Sequence, residues 1–522
     1  MVKETVLTLS PQEAAEDALL RKAVAKEAGV SEPSITEIRI VRRSIDARGR
    51  QPKVQLRVEA YIGEKPVYRY ENDFRYDNVS GGREVLIVGA GPAGLFAALR
   101  LIEAGLKPVI LERGKDVGER KKDIALLNRN VSLDTDSNYC YGEGGAGAFS
   151  DGKLFTRSKK RGNTRRILEI LHRHGAQDEI LYEAHPHIGT DRLPTVIRNI
   201  RETITGCGGE IHFGSRVTEL MTEGNAVKGV RCANGDTYEA DNIILACGHS
   251  ARDIYRMLVR QGIRVEAKGF AMGVRVEHPQ ELIDRIQYHS RVRDKYLPAA
   301  AYSLVTQVDG RGVYSFCMCP GGHIVPSATG EKQIVVNGMS ASHRNSPYAN
   351  SGIVVELHPE DLSEYSEYGE LCGLQFQEEL ERLAYTNNGG GVQTAPAQRL
   401  ADFVRGRLSP TLPDCSYLPG VISSPLHFWL PERIGKRLRE GFTAFDKKMR
   451  GFVTNEAIAV GVESRSSSPV RIPRDTESME HVQISGLYPC GEGSGYAGGI
   501  TSSAMDGENC AVMIARKCGA GA

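Results

Sequence analysis

Neither sign of charge is in excess in this 522-residue sequence: 66 Lys+Arg face 65 Asp+Glu, for a formal net charge of +1. That balance argues against a protein whose main task is gripping nucleic acid or anionic lipid by bulk charge. Long hydrophobic runs are also missing. The most apolar stretches, VLIVGA and NIILAC, stop far short of the roughly 18 residues needed to span a bilayer. The opening MVKETVLTLSPQEAAED has no apolar segment and turns acidic at once, so no secretory signal is expected. Cysteine is sparse. The 11 residues are scattered, form no CxxC pair and are odd in number, which argues against a disulfide framework and for a reduced, cytoplasmic setting. No fixed-period repeat or low-complexity tract is found.

What is present is a full core and an excess of glycine. A hydrophobic share of 40% excludes wholesale disorder, and the length exceeds one ordinary domain of about 100–200 residues. The 57 glycines exceed the usual share of about 7% and cluster beside small residues, as in loops that let a ligand approach the backbone.

The pattern divides the chain. Residues 1–80 read as strand KETVLTL, one amphipathic helix over PQEAAEDALLRKAVAKEAG ending near Gly29, and an antiparallel pair ITEIRIVRRSI and KVQLRVEAYI. This is a small α/β plait, followed by the linker Asp77–Gly82. From Glu84 the pattern becomes βαβ. Residues 165–205 read as helical with a break at HPHIGTD, and 209–247 as short β segments. The region 264–450 mixes strands (FAMGVRVE, GVYSFCMC, QIVVNGM) with helices (LQFQEELERLA, ERIGKRLREGFTAFDKKM); strand GLYPCGE and helix SSAMDGENCAVMIARK close the pattern.

The strongest signal is VLIVGAGPAGLFAALRLIEAGLKPVILERG. Gly89, Gly91 and Gly94 form G-x-G-x-x-G between an apolar strand and a helix closed by Gly105, and Glu112 ends the next strand. The first glycine makes the tight turn, the second admits a pyrophosphate to the backbone, and the third packs helix on strand. The carboxylate accepts hydrogen bonds from a ribose. This is a dinucleotide site.

The GAGPAG turn, with Pro92 and Ala93, and the ERG after the second strand, with Arg113, resemble the two-dinucleotide-binding flavoproteins, which implies FAD. Two distant pieces agree. NIILACGHSARD (242–253) is similar to the superfamily strand ending in Ala-Thr-Gly, with Cys247 in the threonine place before Gly248. GLYPCGEGSGYAGGITSSAMDG (486–507) is similar to the terminal strand whose acidic residue, here Glu492 rather than aspartate, binds the ribityl chain. Its helix would favour the negative charge that develops at the flavin N1/C2=O edge. A closer resemblance is to a largely uncharacterised family of FAD-dependent dehydrogenases with an N-terminal α/β extension and a family-specific C-terminal domain. YGEGGAGAFSDGKL (141–154), HIGTDRL (187–193), FCMCPGGHIVPS (316–327), GVESRSSSPVR (461–471) and GEGSGYAGGITSSAMDG carry it.

The fold expected is therefore α/β: a discontinuous Rossmann-like FAD-binding domain (83–260 and 481–518), an inserted mixed α+β substrate domain (261–480) and the N-terminal module (1–80). The resemblance implies that Gly144, Gly145, Ala146 and Gly147 wrap the cofactor, and that Gly491, Gly498, Gly499 and Ile500 approach it at the terminal helix. Lys153 is a candidate for the flavin N1 edge or a substrate anion, or else an exposed lysine. Cys319 is a candidate thiol or acid beside the ring, or else one of a pair of small core residues with Cys317; on a strand the two would share a face about 6.6 Å apart. His249 and His323 are proton-transfer candidates. Arg465 suits a carboxylate-bearing substrate or the reduced flavin, while Ser466, Ser467 and Ser468 either join it or cap a turn. The histidine pairs His172/His174 and His185/His187 lack metal-ligand spacing, so no metal is expected.

The function expected is an FAD-dependent oxidoreductase acting by hydride transfer on a small molecule. No second strand–GxGxxG–helix unit occurs between 255 and 480, so reducing equivalents come from the substrate, a transient NAD(P)H or an electron-transfer protein. Two alternatives are an RNA-modifying flavoprotein, drawing on Lys159, Lys160, Arg161, Arg165 and Arg166 with Arg39, Arg42, Arg43, Arg48 and Arg50, and a flavin-bound scaffold without turnover. Membrane and nucleic-acid partners are not expected.

Overall fold

A computed structural model describes residues 1–65, 70–156 and 162–520. Strands Val2–Leu9, Ile35–Asp46 and Lys53–Ile62 form a three-stranded antiparallel sheet with Lys53–Ile62 in the centre. Alternate residues of the central strand (Val54, Leu56, Val58, Ala60) are buried against Leu20 and Val24 of the helix. The single helix expected there is broken at Glu16, whose extended ψ of 116° separates Pro11–Ala15 from Asp17–Ala28. Gly29 closes the second helix in the left-handed conformation at φ 63°. The segment expected to be a linker is packed down: Val79 is buried and its N–H donates to Cys207 O at 2.7 Å.

A five-stranded parallel sheet follows, in the order Leu487–Pro489, Ile243–Leu245, Glu84–Val88, Lys107–Leu111, Glu210–His212. Its central strands are apolar on both faces because both are covered: one by helices Pro92–Glu103 and Ile500–Lys517, the other by the antiparallel strands Val217–Glu223 and Ala226–Cys232 with helix Arg252–Arg260. The strand at one edge comes from the far end of the chain. The helix after it, Ile500–Lys517, packs on helix Pro92–Glu103 so closely that a Cβ on Gly507 would stand 2.0 Å from Ala93 O. That contact brings the first turns of both helices to one place.

The second large sheet has seven strands, ordered Val305–Val308, Arg311–Cys319, Tyr348–Leu357, Phe270–Pro279, Ile458–Glu463, Ala395–Arg399, Val421–Ser423. All neighbours are antiparallel except the last pair. Its own core includes Phe403, Phe442, Phe445 and Phe452. Tyr348–Leu357, buried along nearly its whole length, lies centrally in this sheet and went unread in the sequence. Among the described residues no helix is long and apolar enough to cross a membrane.

Candidate cofactor and active-site cleft

One cleft of about 370 Å³ lies where the parallel sheet's loops face the second sheet. The glycine turn forms its floor. Gly89 turns at φ 108°, and a Cβ there would lie 2.4 Å from Ala246 O; one on Gly94 would lie 2.0 Å from Gly89 O. Gly91 differs, because its Cβ would point into the cleft with nothing nearer than Gly145 Cα at 3.9 Å. Gly145 itself sits left-handed at φ 57°, where its own Cβ would be 3.1 Å from Gly91 Cα. Two glycine loops thus press together, and the Gly91 turn opens onto the cleft at the start of helix Pro92–Glu103, a place suited to an anion.

Glu112 is buried and braces both loops. One carboxylate oxygen accepts from Ala90 N at 2.9 Å; the other accepts from Gly114 N and Gly142 N, each at 2.9 Å. Arg113 stacks over Tyr141 at 4.0 Å and pairs with Asp136 and Asp253. Pro92, Ala93, Ala146, Gly147, Gly248, Gly491, Glu492, Gly498, Gly499 and Ile500 also line the cleft. Helix Ile500–Lys517 begins there without a side-chain cap, and added Cβ atoms on Gly498 or Gly499 would meet nothing within 4 Å. Two of the expected cofactor residues do not line the cleft. Gly94 is spent on packing the turn. Gly144 takes φ 79° and lies against Ile197, 2.4 Å from where its Cβ would stand.

The far end is built from the second sheet and the 150–153 turn. Lys153 pairs with buried Asp151 at 2.9 Å, and Asp151 also accepts from Arg344 at 2.7 Å. Lys153 Nζ reaches Cys319 Sγ at 3.4 Å and Cys317 Sγ at 3.9 Å. Strand Arg311–Cys319 bulges between Phe316 and Cys319, and Cys317 takes φ 46°. The bulge corrects the expectation for this segment: Phe316 and Cys317 line the cleft, while Cys319 is fully buried behind them. The glycines of CMCPGG serve packing, since a Cβ on Gly321 would lie 1.8 Å from Arg344 O and one on Gly322 2.4 Å from Met339 O. His323 is exposed on strand Gly322–Pro326 and outside the cleft, which removes it from proton transfer there.

Arg465 lines the cleft, but its charge is committed. It makes paired hydrogen bonds to Glu381 at 3.1 and 3.0 Å and donates to Thr329 at 2.7 Å. Arg252 grips the same carboxylate. Burial alone would raise the Glu381 carboxyl; the two guanidinium groups hold it well below the usual range. Ser466 and Ser468 give their hydroxyls to Ala271 O and Val470 O, so they fix the turn. His249 lies in the cleft with Nδ1 3.5 Å from Glu492, and its buried Nε2 has no hydrogen-bond partner.

Sequence reading missed Asn337, Phe316 and Tyr141 on the cleft wall, and Arg275 behind it. Arg275 is fully buried, pairs with Glu463 at 3.3 Å and donates to Cys317 O at 2.7 Å. An arginine within FAMGVRVEHP, a strand otherwise apolar enough for a core, was the available signal. The basic stretches are largely neutralised: Arg39, Arg43 and Arg48 pair with Glu59, Glu183 and Asp46, and Arg165 and Arg166 with Glu169, Glu103 and Glu508. Lys159, Lys160 and Arg161 lie outside the described residues. Cys490, Asp506 and Cys510 come within metal-ligand distance of one another, and Arg474 already holds Asp506 at 2.6 Å.

The open glycines, the uncapped helix start and the buried free nitrogen of His249 together suit an extended dinucleotide. Residues 83–127 match an FAD binding domain, 126–269 flavin containing amine oxidoreductase, 1–61 a domain of unknown function, and 269–466 the family of FAD-dependent protein, C-terminal domain-like. An uncharacterized protein of Clostridium beijerinckii is 40% identical over 518 residues, 96% of each chain. A probable electron transfer flavoprotein-quinone oxidoreductase of Escherichia coli (strain K12) is 29% identical over 170 residues, 32% of this chain and 36% of that one. The solved flavoprotein/dehydrogenase from Cytophaga hutchinsonii covers 84% of this chain and 79% of its own at 13% identity, with a TM-score of 0.35. FAD is the cofactor, and this chain belongs, with its Clostridium relative, to the family of FAD-dependent proteins that share this C-terminal domain.

Proposed function

We propose that the protein is an FAD-dependent oxidoreductase that exchanges a hydride with a small-molecule substrate at the second-sheet end of the cleft. The observation that carries this reading is the continuity of the cleft from the glycine turn at Gly91 to Phe316, Cys317 and Asn337. When bound, FAD supplies two-electron chemistry at flavin N5. The chain supplies position and charge. Helix Pro92–Glu103 presents uncapped N–H groups and the positive end of its dipole to a pyrophosphate. Helix Ile500–Lys517 does the same for negative charge farther along the cleft. His249, beside Glu492, offers a buried nitrogen that can hold or pass a proton. Lys153 is the cation at the substrate end, and Arg465 is a fixed wall rather than a free clamp.

Residues 264–480 build the seven-stranded sheet and its helices rather than a second parallel nucleotide fold. Reducing equivalents are therefore exchanged with the substrate, with transiently bound NAD(P)H, or with an electron-transfer protein, a choice in keeping with the partial similarity to the quinone oxidoreductase. Anaerobic titration of the purified protein with NADH and NADPH tests this. Bleaching of the flavin absorbance by either names the donor, and no bleaching assigns the role to substrate or protein partner. Protein that neither contains nor takes up FAD defeats the proposal.

A further inference from the structure

Behind the cleft wall lies a cluster of charge that flavin binding does not require. Lys153, Arg275 and Arg344 converge with, among the described residues, only Asp151 and Glu463 as carboxylate partners. Three cations face two anions, Arg275 wholly buried and Lys153 at the cleft edge with 35% of its side chain exposed, and burial also pushes the Glu463 carboxyl up to about 7. The histidines beside it, His185 and His187, are held toward the neutral form by burial and by Arg344, so they add no further positive charge. The surplus cation favours an anion beside it, and the groups at the centre are the sulfurs of Cys317 and Cys319. Lys153 Nζ touches both, and Arg275 Nη2 reaches Cys319 Sγ at 3.5 Å.

We propose that Cys317 and Cys319 form a redox-active dithiol that exchanges two electrons with FAD, Cys317 being the cleft-facing thiolate and Cys319 its buried partner. This rests on the FAD-dependent reading above. An extended strand would hold the two Cα atoms about 6.6 Å apart, close to the upper limit for a disulfide. The bulge and the left-handed Cys317 remove that obstacle by taking this stretch out of the extended path. Non-glycine residues adopt such a conformation at a cost that functional sites commonly carry. The thiol hydrogen bond from Cys319, followed by the charge of Lys153, holds the Cys317 thiol well below its ordinary range. Thiolate is the form that reacts.

The step balances. Cys319 loses its thiol proton, an S–S bond joins Cys317 to Cys319, and the pair gives up two electrons. FAD accepts the two electrons and one proton; in reverse, the reduced cofactor cleaves the S–S bond and returns the proton to Cys319. No further oxidant or reductant is required.

The test uses the FAD-loaded full chain. Anaerobic dithionite titration of the oxidised protein should show about twice the electron uptake per FAD in wild type as in Cys317→Ser or Cys319→Ser. Independently, tryptic peptide 312–332 holds these two cysteines and no others. Alkylated without reductant, the peptide from air-oxidised wild type should be unmodified and lighter by two hydrogens; from dithionite-reduced protein it should carry two labels. Equal uptake in all three FAD-loaded proteins, or two labels on the oxidised peptide, overturns the inference. The peptide measurement decides even if a variant fails to fold. Loss of FAD from wild type itself would defeat the proposed function instead, so the two failures are distinct.

Discussion

The two large sheets meet at one cleft and contribute to it in opposite ways. The five-stranded parallel sheet offers backbone: open glycines at 91, 498 and 499 and the first turns of two helices. The seven-stranded sheet offers side chains, and nearly every charge it brings is already tied to another, as Arg275 is to Glu463 and Arg465 to Glu381. Backbone donors and helix dipoles hold an extended ligand without any committed side-chain charge. Charges locked in pairs keep reactive groups at fixed distances, an arrangement suited to chemistry rather than to capture. The first side follows a local rule; the second depends on which distant strands meet.

The largest expected effects separate two glycines of the same turn. Gly94→Val should leave no folded protein, because its Cβ would stand 2.0 Å from Gly89 O. Gly91→Leu should fold with an unchanged circular dichroism spectrum and carry no FAD. Equal outcomes for the two would erase the distinction between packing and ligand approach.

On the second sheet, Arg275→Met should cost about 3–5 kcal/mol in denaturant unfolding, the usual penalty for leaving one buried charge unpaired. The double variant Arg275→Met/Glu463→Leu should recover most of that loss. If the single change is harmless, the locked-charge account of this sheet fails.

Glu277 sharpens the contrast through pH. Buried, with Ser416 as its hydrogen-bond partner, its carboxyl is raised to about 7. The folded state therefore keeps a proton that the unfolded chain loses above about pH 4.5. Its contribution to stability is full below that value, falls as pH rises towards 7, and is constant above. The loss is on the order of 3 kcal/mol. Glu463, also raised to about 7, adds to the same slope. Glu277→Gln should make the fall in stability between pH 4.5 and 7.5 visibly shallower, and an unchanged slope would move the titration elsewhere.

Back on the parallel sheet, Glu112→Ala should weaken FAD by roughly 1–3 kcal/mol, the range for a lost hydrogen bond to a charged group. Its three backbone donors would lose their common acceptor, so hydrogen exchange at Ala90, Gly114 and Gly142 should rise even without cofactor. The smallest effect is expected for His323→Ala, which should alter stability by no more than about 0.5 kcal/mol and leave FAD content unchanged.

These contrasts explain what could be read in advance. Strand, glycine turn, helix and Glu112 fall within a short stretch whose periodicity and spacing follow from local geometry, so they were legible. So were the short strands between 209 and 247. Strand Tyr348–Leu357 was not, because YANSGIVVEL carries glycine, asparagine and serine and is made a strand by neighbours on both sides. The alternation rule led to a shared face for Cys317 and Cys319, but the bulge turned one to the cleft and buried the other. Gly144 looked like a ligand-approach glycine, yet it is Ile197 and Ala148 that approach it.

The edge strand Leu487–Pro489 also has a consequence in time. During synthesis the ribosome releases the Gly91 turn long before the strand and helix that complete its surroundings. A nascent chain shorter than about 500 residues has no partner for Ala93 at Gly507, and no second helix end at the cleft. The cleft is thus complete only once helix Ile500–Lys517 has emerged, well after the turn it faces.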